Sequence, residues 1–303
     1  MKDRRDAPGW RRLWRHSYAL GLRWLVRESR HGWRAGRVGL VRLLVPLDPR
    51  RYYELGRIAD ADFGGKCLDV SSPKLLPSLL HAEGRGRWVC VDLFAEEIAA
   101  WRTIDPALDL AVEDATALSF PDETFDHCIC VSVIEHIGGG KDSDALSEIW
   151  RVLKPGASLH LTTDVATKPR DVFVEDRVYG QASQVVEDRG VFYKHDYAPL
   201  ELEQLVARRP WEVVVREFAV ARDPRIERWY TSHLPWTSIT GPFLRFVCPS
   251  NFETSPSPSL IDGAGEGVAY LHVRKLVPAS RSRSRHSAQR AEVLPALNQC
   301  PRA

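Results

Sequence analysis

The sequence predicts an α/β fold, in which a doubly wound, mainly parallel sheet of seven strands carries helices on both faces. Short apolar runs recur along the middle of the chain, and most of them are followed by a segment of helical spacing. Parallel strands require such crossover helices and are buried on both faces, so this alternation is typical of an α/β sheet. The chain of 303 residues is long enough to bury one large core of this kind.

The predicted elements occur in a simple order along the chain. Strands are expected at residues 66–70, 87–93, 107–112, 126–133, 158–163, 211–218 and 268–273. Helices are expected at residues 73–82, 95–103 and 142–153, with a fourth beginning near residue 199. Ser72 and Pro73 predict the start of the first of these helices, because serine is a good N-cap and proline suits the first helical position.

Two extensions flank this region, which we expect to form one domain over residues 55–276. Residues 1–54 are basic, and tryptophan and leucine recur there at helical spacing. Such a helix suits either an anionic membrane surface or a face of its own domain, and both interpretations stay open. Residues 277–303 are rich in serine and arginine and are expected to form a disordered tail.

The composition argues against several other classes of protein. The net charge of +2 gives no general argument for a nucleic-acid partner, and no recognised binding module accompanies the arginines. No apolar run approaches the roughly 20 residues that span a bilayer. Four of the 6 cysteines lie in apolar runs, where reduced, buried thiols are expected, and their spacing predicts no metal site. We therefore expect a cytoplasmic protein. If the basic segment lies on a membrane, it would be the contact with the inner membrane surface.

The residues that follow the first four predicted strands are the candidates for a ligand site. They are Asp69, Ser71 and Ser72 after the first strand, Asp92 after the second, Asp114 and Ala115 after the third, and Ser132, Val133 and His136 after the fourth. In an open parallel sheet, ligands bind beyond the carboxyl ends of the strands. An acidic residue at the position of Asp92 accepts hydrogen bonds from ribose hydroxyls in such folds.

Residues 113–156 carry a series of motifs, EDATALSFPDETFDHCICVSVIEHIGGGKDSDALSEIWRVLKPG. Asp-Ala, Phe-Pro-Asp, Phe-Asp, Glu-His and Arg-Val-Leu-Lys-Pro-Gly follow one another in this segment. In this order they closely resemble the core of the large family of S-adenosylmethionine-dependent methyltransferases known as type 11. The resemblance implies a Rossmann-like fold, S-adenosylmethionine (SAM) as the cofactor and methyl transfer as the activity.

The resemblance also implies a role for individual residues of this chain. Asp92 would bind the ribose hydroxyls of SAM, Asp114 would accept a hydrogen bond from the adenine amino group, and Ala115 would offer its backbone. Ser132 and Val133 would lie beside the sulfonium and the acceptor.

The chain departs from the family after the first strand, where several glycines usually let the backbone approach the methionine part of SAM. Here the sequence is Asp69-Val70-Ser71-Ser72-Pro73-Lys74. We expect Asp69, Ser71 and Ser72 to replace the glycine contacts. The alternative is that cofactor affinity is lost.

Two polar residues near the predicted site are candidates for catalysis. His136 is the first candidate for a general base, because histidine accepts a proton near neutral pH. The alternative is that Glu135 and His136 cap a turn. Asp164, after the fifth strand, is a weaker candidate.

A long insert at residues 166–200 is expected to contribute to the acceptor pocket. Within it, Tyr193 and His195 are candidates for contacts with the acceptor, and the alternative is that they belong to a strand edge. A second aromatic stretch, Trp229–Trp236, suits either the lining of an apolar pocket or a cover over the sheet.

The leading hypothesis is a SAM-dependent methyltransferase that acts on a small molecule, lipid or glycan, with oxygen as the methylated atom. A nicotinamide-dependent enzyme is disfavoured, because no Gly-x-Gly-x-x-Gly opens the first helix. The remaining alternative is a catalytically inactive scaffold of the same fold that acts at a membrane surface or on a protein partner. The loop at residues 71–73 decides between them, since an active enzyme must admit the cofactor there.

Overall fold

The computed structural model describes residues 8–28, 49–175, 186–226 and 251–277. Within these residues the helices are α1 Gly9–Glu28, α2 Pro49–Ala59, α3 Leu75–Ala82, α4 Ala95–Ile104, α5 Asp142–Val152, α6 Pro199–Val206 and α7 Ser259–Ala264. The strands are β1 Lys66–Val70, β2 Arg87–Asp92, β3 Asp109–Val112, β4 Phe125–Val131, β5 Leu153–Ala166, β6 Arg170–Val174, β7 Val186–Glu187, β8 Gly190–Asp196, β9 Trp211–Ala221, β10 Phe252–Ser255 and β11 Glu266–Lys275.

The main sheet confirms the predicted α/β architecture. Its strand order is β10-β9-β11-β5-β4-β1-β2-β3, in which β3, β2, β1, β4 and β5 are parallel and β11, β9 and β10 pair antiparallel. The strand order reverses at β1, because β2 lies on one side of it and β4 on the other. The carboxyl ends of these three strands therefore form the switch point at which such sheets bind ligands.

The central strands are buried because helices cover both faces of the sheet. Cys67, Cys90 and Ile129 face a core that includes α1, α2, α3 and α4, whereas Leu68 and Cys128 face a core that includes α5, α6 and α7. The cysteines of these strands are buried and not joined in disulfides, as their apolar runs predict.

Several elements differ from the sequence prediction. The sheet has an eighth strand, β10, whose short polar sequence gives no apolar signal. The insert forms a separate small sheet of order β6-β8-β7. Helix α3 begins at Leu75 rather than Pro73, and the expected boundary between residues 54 and 55 falls inside α2.

Helix α1 packs along α2 and α3 with its apolar face buried. Leu13 and Leu20 are almost fully enclosed, and Gly9 approaches the backbone of α2 so closely that a Cβ there would overlap it. Arg12 is buried as well, and its guanidinium donates to the carbonyl of Ala59. The described part of the basic segment is thus a helix docked on its own domain, which is one of the two interpretations left open by the sequence.

Other predictions fall outside the described residues. They concern the side chains of residues 24–48, the aromatic stretch Trp229–Trp236 and the tail from residue 278 onward. Of the helices that the structure describes, none is long and apolar enough to span a bilayer.

The docking of α1 can be tested by comparing two leucines on the same helix. We expect Leu13→Ala to lower the free energy of unfolding by about 2–5 kcal/mol, because the side chain is fully buried. Leu22→Ala is the matched control, since Leu22 is 55% exposed, and its effect should stay within about 0.5 kcal/mol. Urea unfolding measures both, and equal effects would contradict the docked position of α1.

Candidate active site

Two carboxylates and one ammonium are buried together at the carboxyl ends of β1 and β2. The Lys74 side chain is fully enclosed, and its Nζ lies 2.9 Å from Asp69 Oδ2 and 3.2 Å from Asp92 Oδ2. It also donates to the backbone carbonyls of Ser72 and Val91, at 3.0 Å each. Burial lowers the pKa of Lys74, but the two carboxylates outweigh burial and the pKa is raised. Lys74 therefore carries its charge inside the protein.

Asp69 belongs to this buried group and not to an open surface. Its side chain is fully enclosed, and burial raises the pKa of Asp69 although Lys74 opposes the change. The structure thus brings Asp69 to the predicted edge of the sheet as a partner of Lys74. A direct contact of Asp69 with the cofactor stays a prediction.

Ser72 joins the loop after β1 to the neighbouring strand β4. Its Oγ accepts a hydrogen bond from the backbone N–H of Val131 at 2.9 Å and donates to the carbonyl of Val70 at 3.3 Å. The predicted N-cap is therefore wrong, because the hydroxyl is used across the sheet and α3 begins only at Leu75. The adjacent Ser71 has a φ of 50°, so the chain turns there as it would at a glycine.

Asp92 ends β2 at the position predicted for ribose binding. Its Oδ1 accepts the backbone N–H of Phe94 at 3.1 Å, and its Oδ2 faces Lys74. A carboxylate has about four lone-pair positions, so each oxygen can still accept a further hydrogen bond.

The loop after β3 places Asp114 on the surface and Ala115 in the core. Asp114 Oδ1 accepts from both the backbone N–H and the hydroxyl of Thr116, at 2.8 Å each. These bonds fix the carboxylate beside the edge of the sheet, next to β2.

The end of β4 is joined to helix α2 by a buried carboxylate. Glu54 is fully buried, and its Oε1 accepts from Ser132 Oγ at 2.6 Å and from Thr162 Oγ1 at 2.9 Å. Its Oε2 lies 2.6 Å from Arg51 Nη1. The hydroxyl of Ser132 thus bonds the protein itself, while Val133 beside it is buried.

Ser132 shares an uncommon backbone conformation with Ser71. Both residues have a φ of 50°, and they directly follow β4 and β1, the parallel neighbours at the switch point. Strained backbone of this kind clusters at functional sites. Its position here agrees with a ligand site at the carboxyl ends of these strands.

His136 and Tyr193 meet beyond the carboxyl end of β4. His136 Nδ1 is 2.7 Å from the carbonyl oxygen of Tyr193, and the two rings are in edge contact with centroids 5.1 Å apart. Since a carbonyl only accepts, Nδ1 carries the proton and the neutral ring has an unprotonated Nε2. Burial lowers the pKa of His136 and outweighs the opposing effect of the Tyr193 carbonyl, which keeps the ring in its basic form.

Glu135 lies beside His136 and is fully buried. Its Oε2 accepts from Thr163 Oγ1 at 2.9 Å, and its Oε1 has no hydrogen-bond partner among the residues that the structure describes. Burial, followed by the charge of Asp164, raises the pKa of Glu135 to about 8. Glu135 is therefore mainly protonated near neutral pH.

Asp164, at the end of β5, is held between α2 and the insert. Arg50 Nη1 lies 2.5 Å from its Oδ1, and Lys194 Nζ lies 2.5 Å from its Oδ2. Burial raises the pKa of Asp164, but the two cations outweigh burial and the net shift is downward. As an ionised and doubly paired group, Asp164 organises the site and is a poor proton acceptor.

His195 occupies a different environment from His136. Its two ring nitrogens face carboxylates, with Nδ1 2.7 Å from Asp171 Oδ1 and Nε2 3.2 Å from Glu201 Oε2. Burial opposes protonation, but hydrogen bonds to these carboxylates raise the pKa of His195. Of the two predicted acceptor contacts, Tyr193 lies against the candidate base His136. His195 instead pairs with two carboxylates, and its contact with an acceptor stays a prediction.

Three buried groups of this site were not identified from the sequence. They are the ammonium of Lys74, the carboxylate of Glu54 and the protonated carboxyl group of Glu135. A lysine in the apolar segment at residues 74–80 was a usable signal, because a buried lysine requires paired carboxylates. Glu54 gave no signal, since its partners lie about 80 and 110 positions further along the chain. Among the described residues, no group of histidine, cysteine or acidic side chains is arranged to hold a metal ion.

Comparison with known proteins identifies the class of this domain. Residues 68–161 match a family model described as a methyltransferase domain. Demethylmenaquinone methyltransferase of Streptomyces avermitilis is 34% identical over 104 residues, which cover 34% of this chain and 44% of that protein. The chain thus matches less than half the length of this curated relative.

Two solved structures are similar over most of this chain. The cyclase SpnF has 19% identity and a TM-score of 0.45, and the match covers 80% of this chain and 82% of that one. A SAM-dependent methyltransferase from Methanosarcina mazei has 16% identity and a TM-score of 0.45, and the match covers 72% of this chain and 95% of that one.

Residues 68–161 therefore match a methyltransferase domain, which confirms the resemblance to SAM-dependent methyltransferases found in the sequence. SAM is the methyl donor of this class. The residues present fit the cofactor, because Asp92 and Asp114 keep acceptor capacity and Ser71 turns the chain as a glycine would. When bound, SAM supplies the electrophilic methyl group.

The raised pKa of Glu135 predicts a pH-dependent stability. The folded protein keeps this carboxyl protonated up to about pH 8, whereas the ordinary value is 4.5. The folded state therefore binds more protons than the unfolded state between these values, and stability is lost as the pH rises through this window.

We expect Glu135→Gln to remove this loss, so that the variant gains on the wild type by at most about 1.4 kcal/mol per pH unit between pH 5 and 8. Urea unfolding at several pH values measures the difference. Glu96→Gln, on an exposed position of α4, is the control. Parallel stability curves for the wild type and Glu135→Gln would show that the carboxyl is already ionised.

Proposed function

We propose that this chain transfers the methyl group of SAM to an oxygen atom of a small-molecule acceptor. The observation that supports it best is the placement of Asp92 and His136 at the same edge of the parallel sheet, after β2 and β4 on either side of β1. Asp92 suits the ribose of the donor, and His136 suits the removal of a proton from an acceptor hydroxyl.

In this mechanism the protein positions the reactants and handles one proton. Methyl transfer from a sulfonium is an in-line displacement, so holding the two reacting atoms in near-attack geometry supplies much of the acceleration. Tyr193 fixes the His136 ring through its carbonyl, and Nε2 takes the acceptor proton as the new bond to the methyl group forms.

The acceptor class is supported by the name of the matched relative, which is a demethylmenaquinone methyltransferase. A small molecule with an apolar ring system is therefore the first acceptor to screen, ahead of lipids and glycans. An inactive scaffold is disfavoured by the family match, which includes the strand ends that would hold the donor. A cytoplasmic location is part of the proposal, and so is peripheral membrane contact through the arginines of the basic segment, because α1 buries its apolar face against α2 and α3. Sedimentation with anionic vesicles would test the membrane contact.

Donor binding is the first test of this function. We expect calorimetric titration to detect binding of SAM and of its demethylated product, and Asp92→Asn to weaken both by about tenfold or more, since hydrogen bonds to a charged group contribute about 1.5–3 kcal/mol. Asp109→Asn is the matched control, because Asp109 is an exposed carboxylate at the amino end of β3. A folded wild-type protein that binds neither ligand would overturn the proposed function.

The role of His136 is tested by the dependence of rate on pH once an acceptor is found. Because burial lowers the pKa of His136, kcat/KM of the wild type should be flat at neutral pH and fall only below the ordinary value of 6.5. His136→Asn should lower kcat by about 10²–10⁴-fold and leave SAM affinity unchanged.

His81→Asn, in the last turn of α3, provides the control histidine. Full activity of His136→Asn would remove the histidine from the chemistry. Mass spectrometry and NMR of the product would identify the methylated atom, and a methyl group on carbon or nitrogen would contradict the oxygen assignment.

A further inference from the structure

The loop after β1 lacks the glycines that the family resemblance leads one to expect, and a lysine, Lys74, follows it. Lys74 is enclosed by four oxygen atoms, which belong to Asp69, Asp92 and the backbone carbonyls of Ser72 and Val91. All four lie within 3.2 Å of Nζ. An ammonium has three protons to donate, so it is fully satisfied at this position.

Lys74 does not touch a cofactor, because its side chain is fully buried. It acts instead on Asp92, the carboxylate that suits the ribose. One oxygen of Asp92 faces Nζ and the other accepts the Phe94 N–H, so the carboxylate is held from both sides in one orientation. The loop is drawn toward β2 by the same ammonium, through its bond to the Ser72 carbonyl.

We propose that Lys74 is a positioning residue for the donor: it fixes Asp92 for the ribose hydroxyls and so replaces the glycine-rich loop of the family. The proposal rests on the proposed function, since it requires that SAM binds at Asp92. The buried ammonium of Lys74 orders the loop through the Ser72 carbonyl. The same ammonium lies between the carboxylates of Asp69 and Asp92 and pairs with both.

Removal of the ammonium leaves Asp69 and Asp92 facing each other without a cation. One of them must then take up a proton or turn away, because two buried like charges destabilise each other. In either case the orientation of Asp92 is no longer fixed. The expected loss is therefore confined to the ribose hydroxyls and does not extend to the rest of the ligand.

A ligand pair isolates this effect from a general loss of structure. S-adenosylhomocysteine and its 2′-deoxy analogue differ by one ribose hydroxyl, and we expect the wild type to prefer the former by about tenfold or more, as a hydrogen bond to a carboxylate implies. In Lys74→Met the preference should fall to less than about threefold, as it should in Asp92→Asn. Lys168→Met, at an exposed lysine, should keep the wild-type preference.

Lys74→Met leaves an unpaired buried charge and can be too unstable to purify. The double variant Asp69→Asn with Lys74→Met removes one positive and one negative charge together, so the buried group carries only the charge of Asp92. It is expected to fold and to show the same loss of ribose preference. Calorimetric titration with circular dichroism of each variant completes the measurement.

The outcomes separate the two proposals. If the wild type binds neither ligand, both the proposed function and the role of Lys74 are overturned. If the wild type binds and a folded Lys74 variant loses the same factor for both ligands, or keeps its ribose preference, only the positioning role is wrong. A loss confined to the ligand with the 2′-hydroxyl supports it.

Discussion

The buried ammonium of Lys74 is the interaction on which the centre of this structure depends. Parallel strands end at one edge of the sheet, and here β1 and β2 bring two carboxylates there, Asp69 and Asp92, in a region that excludes water. Desolvated charges of the same sign are strongly unfavourable unless a cation pairs with them. Lys74 provides that cation and bonds the backbone of both the loop and β2. Ser72 then joins the same loop to β4, so the three central strands are fixed to one another at the candidate ligand site.

The candidate site is built from more than the segment that matches the methyltransferase domain. Asp92 and Asp114, the candidates for donor binding, lie within that segment, and so does His136. Glu54 and Lys194 come from outside it, because the first belongs to α2 and the second to the insert. The family match therefore covers only part of the candidate site, and α2 and the insert complete it.

Most of the sheet, and with it the edge that holds the candidate site, could be predicted from the sequence, because apolar periodicity is a local signal. Strands β1 and β2 were predicted within one residue of their ends, and the residues at their carboxyl ends followed from the topology. The partners of individual polar groups could not be predicted. The hydroxyl of Ser72 could cap the following helix or bond a residue far away in the sequence. Only the packed structure shows that it accepts a hydrogen bond from Val131 of β4. His195 likewise gave no sign that two carboxylates would pair with it.

The protonation states on the acceptor side follow from burial and from the cations that flank Asp164. Glu135 is fully enclosed, so an acceptor cannot reach its carboxyl group. It also holds its proton near neutral pH and therefore cannot act as a base there. Asp164 keeps its charge, but Arg50 and Lys194 already satisfy it. His136 alone of these three acidic and basic groups combines partial exposure, a fixed tautomer and a pKa shifted downward toward the basic form. The same insert that fixes its tautomer through Tyr193 also contributes Lys194, whose charge helps to lower that pKa. Among these three groups, geometry and electrostatics therefore favour His136 for the proposed proton transfer. Both depend on the insert, whose strand β8 contacts β5 and the turn that follows β4.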